Sequence, residues 1–170
     1  MDIVIIALRL IHILAGVFWA GTAFFFVSFL EPAVKATGPD GGKVMQRLSQ
    51  MGYSTAMSVV AVLNVGSGLL MYVRDFGPTI QLTSGAGLGL TFGGTAGLLA
   101  LLVGLFIARP AAARVGVVGK QIQASGKPPT PEQVAEIQAL QRRLGQGALW
   151  TALLLALALI GMSTARYLFF

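Results

Sequence analysis

The amino-acid sequence predicts an all-α membrane protein, a bundle of four transmembrane helices with an amphipathic interfacial helix before the fourth span. Three observations support this fold class. Hydrophobic residues occupy 55% of the 170 positions and charged residues only 11%, whereas a soluble domain carries about 25% charged residues. Four apolar stretches each reach the length of about 20 residues that a helix needs to cross hydrocarbon. Charged residues, proline and glycine lie between the stretches, and the chain length suits a single domain.

The four predicted spans must be helical, because hydrocarbon offers no partner to an unpaired backbone group. They cover residues 3–30, 54–73, 86–108 and 149–170. Charged pairs or charged residues beside proline close the first three spans, at Glu31-Pro32, Arg74-Asp75 and Arg109-Pro110. The first span has no Lys or Arg before Arg9 and is too long for a cleavable signal, so we expect it to remain in the mature chain.

The basic residues are unevenly distributed between the loops. Nine of the 12 Lys and Arg residues lie in two segments, 35–47 and 109–143, and the second loop holds only Arg74. The positive-inside rule therefore predicts that both long loops are cytoplasmic and that both termini lie outside. The net charge of +6 fits loops beside a lipid bilayer. Without a nucleic-acid-binding motif, it does not indicate a nucleic-acid partner.

The sequence of the third loop predicts a separate helix within that loop. After Pro128-Pro129, Thr130 has the properties of an N-cap, Pro131 of a first helical residue and Gln133 of a capping-box partner. Apolar residues then share one helical face: Val134, Ile137, Leu140 and Leu144. This pattern indicates an amphipathic helix at the cytoplasmic interface that leads into the fourth span. A solvated linker helix is the alternative.

Glycines in the third span recur every four residues, at Gly85, Gly89, Gly93 and Gly97. Such a glycine zipper lets a second helix approach closely. The spacing leaves open whether that helix belongs to the same chain or to another subunit, and a gap for a flat cofactor is a further alternative.

The first span contains the only histidine, His12, three residues after Arg9 and therefore on the same helical face. Gly16, Ala20 and Ala23 continue that face, so we expect room for a planar ligand beside the imidazole. One histidine and no cysteine exclude a multi-imidazole or thiolate metal site within one subunit. Haem with one His ligand, and a weak, absent or methionine partner, remains possible. The alternative is a packing histidine hydrogen-bonded to a carbonyl or to Asn64.

Arg9 and four other candidate cofactor-binding residues lie in the outer half that the topology assigns to His12. Met71 and Met162 are candidate axial ligands, although methionines mostly serve packing. Arg74 and Arg166 are candidates for haem propionates. Snorkelling of these arginines to lipid phosphate is the commoner explanation.

The opening part of the chain contains the segments LRLIHIL (8–14), FWAG (18–21) and FLEP (29–32). These segments resemble the CopD-like membrane proteins and, more distantly, the HemJ-type protoporphyrinogen oxidases, and the segments 44–48, 66–70 and 162–167 also fit this resemblance. This resemblance implies a bacterial inner membrane and haem b bound at His12. The HemJ-type enzymes also use a lysine after the first span, where this chain has Arg47 with Lys43 nearby. Arginine does not release its proton, so that catalytic role is in doubt.

Three functions follow from these features. The first is haem b binding through His12 for electron transfer or porphyrin-related redox chemistry. The second is a non-catalytic small subunit or assembly factor of a larger respiratory or photosynthetic complex, or a homo-oligomer, packed through the glycine zipper. The third is copper transport. The sequence leaves open whether the protein is an enzyme.

Overall fold

The computed structural model describes residues 2–38 and 41–168, and no strand occurs in that part of the chain. Five helices cover most of it: α1 (Ile3–Ala36), α2 (Gly41–Gln50), α3 (Tyr53–Phe76), α4 (Gly85–Ser125) and α5 (Pro131–Thr164), and α5 ends in a 3-10 turn over Ala165–Tyr167. The last two residues of the predicted fourth span lie outside the described part.

Helices α1, α3, α4 and α5 are each long and apolar enough to cross a membrane. This confirms the predicted fold class of an all-α membrane protein with four spans. Large apolar side chains such as Leu14, Val17 and Phe29 are exposed on the outside of the bundle. Such a surface is compatible with contact to lipid and not with contact to water.

The bundle consists of two antiparallel helix pairs. In the first pair, α1 packs on α3, with the ring of Phe26 stacked on Tyr53 at one end and Asp2 in an ion pair with Arg74 at the other. In the second pair, α4 packs on α5, with Gly89 beside Ala165.

Gly89 and Gly93 of the glycine zipper pack on α5 of the same chain. A Cβ atom on Gly89 would lie 2.8 Å from Ala165 Cα, and one on Gly93 would lie 2.9 Å from the carbonyl oxygen of Ala158. On the facing helix, a Cβ atom on Gly161 would lie 3.0 Å from the carbonyl oxygen of Gly89. No side chain fits between two backbones at these distances, so the close approach of α4 and α5 requires glycine on both helices.

All four spans meet in a small core at mid-depth. Its buried members are Trp19 and Ala20 from α1, Ala61 from α3, Ala100 from α4 and Leu155 from α5. Apart from Trp19 and Leu155 these side chains are single methyl groups, so the two helix pairs also approach each other closely.

Neither Pro32 nor Pro110 ends its helix, although the sequence analysis placed a span end at each. A five-residue turn of π-helix (here called a π-turn) lies before each proline, at Phe26–Leu30 in α1 and at Gly104–Ala108 in α4. The N–H of Glu31 bonds to the carbonyl of Phe26 across the wider turn. A proline ring clashes with the carbonyl four residues earlier in a regular α-helix, and the wider turn relieves that clash, so the helix continues.

The continued part of α4 pairs with the first part of α5 beyond the spans. Thr130 and Gln133 form the predicted capping box, with Gln133 Oε1 accepting from the Thr130 N–H at 2.9 Å. Arg114 of α4 pairs with Glu136 of α5 at 2.6 Å, and Val118 of α4 is fully buried. The predicted amphipathic helix is therefore the start of α5, continuous with the fourth span, and it packs on α4.

The sequence analysis did not predict α2. This helix follows α1 and is separated from α3 by a tight turn at Gly52, whose φ of 82° is favourable only for glycine.

We expect Gly89→Ala to weaken the α4–α5 pair, because the added methyl group would overlap Ala165. Overpacking of this kind costs about 1–3 kcal/mol, partly offset by the gain of about 1 kcal/mol in helix propensity from Gly to Ala. Gly97→Ala is the matched control, since a Cβ atom there meets nothing within 4 Å. The measurement is the midpoint of thermal unfolding in detergent. Equal midpoints for the two variants would contradict the assigned packing.

Candidate functional site around His12

Two reciprocal hydrogen bonds join His12 of α1 to Asn64 of α3. Nδ1 of His12 lies 2.8 Å from the backbone oxygen of Asn64. In return, the side-chain Nδ2 of Asn64 donates to the backbone oxygen of His12 at 2.7 Å. Each residue therefore uses one side-chain atom and one backbone atom, and the pair fixes the relative position of the two helices. Such a contact agrees with the alternative interpretation, in which His12 is a packing histidine hydrogen-bonded to a carbonyl or to Asn64.

The first of these bonds determines the tautomer of His12. A backbone carbonyl can only accept a hydrogen bond, so Nδ1 carries the proton and donates it to Asn64. In the neutral imidazole, Nε2 then keeps its lone pair. Asn64 Nδ2 also lies 3.4 Å from His12 Nδ1, but both atoms bear protons in this arrangement, so that approach is a contact and not a hydrogen bond.

Ser67 and Gly68 hold the α3 side of the imidazole in place. The Ser67 hydroxyl donates to the Leu63 carbonyl at 2.6 Å and lies 3.5 Å from His12 Nδ1. A Cβ atom on Gly68 would lie 2.8 Å from Cε1 of the ring. Glycine is therefore needed at position 68 for the ring to lie against α3.

The space expected beside the imidazole on α1 is filled by α3. A Cβ atom on Gly16 would lie 2.8 Å from Nδ2 of Asn64, and Ala20 belongs to the buried core. The small residues after His12 thus serve helix packing, and the expectation of room for a planar ligand along them was wrong. Two open surface cavities of the described residues lie elsewhere, between α1 and α5 and between α3 and α4.

Nε2 of His12 is the ring nitrogen that could bind a haem iron, and it lies 3.7 Å from the position that a Cβ atom on Gly68 would take. The side chain is half-buried, and Nε2 makes no hydrogen bond to any described residue. The residues present therefore fit one axial bond. They do not enclose a macrocycle, so the outer face of a haem would need cover from lipid, a second copy or another subunit.

The structure also locates the five other candidate cofactor ligands. Arg9 is exposed and makes no hydrogen bond to a described residue. Met71 lies three residues after Gly68 on α3, and the antiparallel register from Asp2–Arg74 to His12–Asn64 places it about level with Ile5. Along the helix axes, Arg9 therefore lies about one helical turn from His12 and Met71 about two turns, both towards the end of the bundle that holds the N-terminus.

The remaining three candidates have other contacts. Arg74 forms an ion pair with Asp2, and Arg166 lies over the ring of Tyr167 at 4.7 Å and donates to its hydroxyl. Met162 packs in the α4–α5 interface, where its Cγ faces Gly93. These contacts give all three residues a structural role.

The sequence analysis missed a polar cluster at the same end of the bundle. The Thr91 hydroxyl donates to the Gln81 carbonyl at 3.1 Å, so the Tyr72 hydroxyl donates to Thr91 Oγ1 at 2.6 Å and accepts from the Gln81 N–H at 2.9 Å. The Tyr72 hydroxyl connects α3, the following loop and α4.

Comparison of the chain with protein-family models, with curated proteins and with solved structures finds no significant match. Within residues 2–38 and 41–168, no group of three or more His, Asp or Glu side chains could hold a metal ion. The fold and the site therefore define a multi-pass helical membrane protein with one oriented imidazole.

We expect Asn64→Ala to destabilise the α1–α3 pair, because it removes the donor to the His12 backbone oxygen. Interhelical hydrogen bonds in membrane proteins contribute about 0.6–2 kcal/mol. Ser163→Ala is the control, since the Ser163 hydroxyl bonds only within its own helix, to Ile160 at 3.2 Å. Thermal unfolding in detergent measures both variants. A midpoint for Asn64→Ala as high as that of the control would show that the bond from the Asn64 side chain contributes nothing to the pairing.

Proposed function

We propose that this multi-pass membrane protein binds haem b through Nε2 of His12 and serves electron transfer or porphyrin-related redox chemistry. The observation that supports this proposal is the hydrogen bond from His12 Nδ1 to the Asn64 carbonyl, 2.8 Å long. Histidines that ligate metals usually donate their second N–H to a carbonyl or carboxylate, which fixes the tautomer and makes the ligating nitrogen more basic.

The chain's own residues would act as follows. His12 would supply the axial nitrogen, and Asn64 would hold the imidazole in its orientation. The exposed guanidinium of Arg9 would pair with a propionate, whereas Arg74 would first have to leave Asp2. Haem itself supplies an iron that changes oxidation state by one electron.

Two sources of a second axial ligand are consistent with this proposal. Met71 lies about two helical turns from the level of His12 on the facing helix, three residues after Gly68, which faces the imidazole. The half-buried position of His12 also allows a second copy of the chain to cover the haem and to provide its own His12. One subunit alone has a single histidine and cannot supply two histidine ligands.

The membrane and the orientation belong to the same proposal. The resemblance to CopD-like proteins supports a bacterial inner membrane, and the loop charges support cytoplasmic loops with both termini outside. In this orientation, His12 and its haem lie in the outer half of the bilayer.

The second candidate function is a non-catalytic subunit or assembly factor of a larger membrane complex. The reciprocal bonds between His12 and Asn64 favour it, because they already give the histidine a complete role in helix pairing. Copper transport has less support, because one imidazole with scattered methionines makes a poor copper site.

An optical spectrum tests haem binding directly. We expect the purified wild-type protein to show a Soret band and, after reduction, an α band, and we expect His12→Ala to lose both. Well-folded wild-type protein that takes up no haem, even after reconstitution, would overturn the proposal. Haem that is retained by His12→Ala would overturn the assignment of the ligand.

A pair of glycine variants tests the position of the imidazole without removing it. We expect Gly68→Ala to shift the Soret band or to weaken haem binding, because the added Cβ atom would displace the ring. Gly66→Ala should match the wild type, since a Cβ atom at position 66 meets nothing within 4 Å. Identical spectra and affinities for both variants would argue against ligation by His12.

Mild-detergent purification tests the second candidate function. A subunit or assembly factor should copurify with other membrane proteins in fixed proportion. Recovery as a monomer or homodimer alone would contradict that role.

A further inference from the structure

A groove lies between α1 and α5 at the end of the bundle that carries most of the basic residues. Its volume is about 580 Å³. One wall comes from the end of α1, with Glu31 and Lys35, and the other comes from one face of α5, with Arg142 and three glutamines. The groove is far from His12 along α1 and forms no part of the haem proposal.

Two features of the sequence create this groove. Gly145 of α5 faces Glu31 so closely that a Cβ atom there would lie 2.5 Å from Glu31 Oε1. Glycine at position 145 therefore lets the Glu31 carboxylate lie against α5 at the floor of the groove. The π-turn before Pro32 lets α1 continue to Ala36, and this continuation forms the second wall.

Hydrogen-bond donors line the groove and lack partners. Glu31 accepts from Lys35 at 2.7 Å, so these two charges compensate each other. Arg142 makes neither an ion pair nor a hydrogen bond with any described residue, and the same holds for the side chains of Gln138, Gln141 and Gln146. The groove thus has one uncompensated positive charge and three free amide groups.

The lining changes from polar to apolar along the bundle. Val27 and Leu149 lie at one end of the groove and belong to the predicted first and fourth spans. Arg142 and Gln138 lie towards the other end, outside the spans. A ligand that fits both ends needs an anionic group and a hydrocarbon chain.

We propose that this groove binds the phosphodiester headgroup of an anionic glycerophospholipid. The planar guanidinium of Arg142 can donate two parallel hydrogen bonds to phosphate oxygens, and the glutamine amides can donate to the remaining oxygens. The first part of an acyl chain then lies against Val27 and Leu149. A free phosphate ion could use the polar end alone, but it would leave the apolar end exposed.

Neighbouring arginines allow a matched test of this site. Arg142 lines the groove, whereas Arg143, the next residue, is exposed and does not. Arg142→Gln and Arg143→Gln remove the same charge from the same helix, so any general effect of net charge is equal in the two. Gln141→Ala provides a second groove variant with no change in charge.

The experiment measures lipid binding to delipidated protein by native mass spectrometry. Wild type and both arginine variants are titrated with dioleoyl phosphatidylglycerol, and dioleoyl phosphatidylcholine is the neutral comparison. We expect Arg142→Gln to bind phosphatidylglycerol about fivefold more weakly than wild type, Gln141→Ala to bind it less strongly than wild type, and Arg143→Gln to match wild type. Phosphatidylcholine should bind more weakly than phosphatidylglycerol to the wild type.

Three results would overturn the proposal. The first is equal affinity of Arg142→Gln and Arg143→Gln, whether high or low. The second is equal binding of the two lipids by the wild type. The third is complete displacement of phosphatidylglycerol by millimolar inorganic phosphate, which would identify a site for free phosphate. The thermal midpoints of the variants show that each is folded.

Discussion

The cost of an unpaired polar group in hydrocarbon governs how this chain packs. His12 and Asn64 lie within apolar helices, where each would be unfavourable alone. Together they exchange hydrogen bonds through a side chain and a backbone carbonyl in both directions. This exchange fixes the register of α1 on α3, and the contacts at both ends of the pair, Asp2–Arg74 and Phe26–Tyr53, agree with that register.

The second helix pair is stabilised by a different interaction. Helices α4 and α5 have no comparable polar link within the bilayer, and they approach each other along Gly89, Gly93 and Gly161. Their stabilisation comes from van der Waals contact between backbones. The two pairs then join through a core made mostly of alanines. Hydrogen bonds between His12 and Asn64 therefore stabilise the α1–α3 pair, whereas close backbone packing at glycines stabilises the α4–α5 pair.

This division has a consequence for function. The polar pair is the half that contains a nitrogen with a free lone pair, because the bond to Asn64 occupies Nδ1 and leaves Nε2 open. The same geometry is compatible with a haem ligand and with a histidine that only pairs helices. What distinguishes the two is whether anything binds at Nε2.

Much of the fold could be predicted from the sequence because its signals are local. The four spans follow from apolar length, and the start of α5 follows from Thr130 and Gln133, whose capping box is present. The glycine zipper was visible as well, but spacing on one helix cannot identify the partner. That assignment needed Gly161 on α5, which the chain brings into place only when it folds.

The errors arose where distant residues decide the local structure. Proline at positions 32 and 110 predicted helix ends, yet a π-turn before each proline relieves the clash. Gly16 predicted room for a ligand, yet Asn64, 48 positions further along the chain, occupies that space. Helix α2 carries too weak an apolar signal to be recognised as a span, and its turn depends on Gly52.

The state of the imidazole is the most direct test of this account. Because His12 is the only histidine, protein labelled with ¹⁵N-histidine gives the nitrogen signals of this one side chain. We expect a protonated Nδ1 in the haem-free protein, with the Nε2 signal changing when haem is added. An Nδ1 without a proton, or fast exchange between the two tautomers, would contradict the hydrogen bond to Asn64 on which the helix pairing and the proposed ligand both depend.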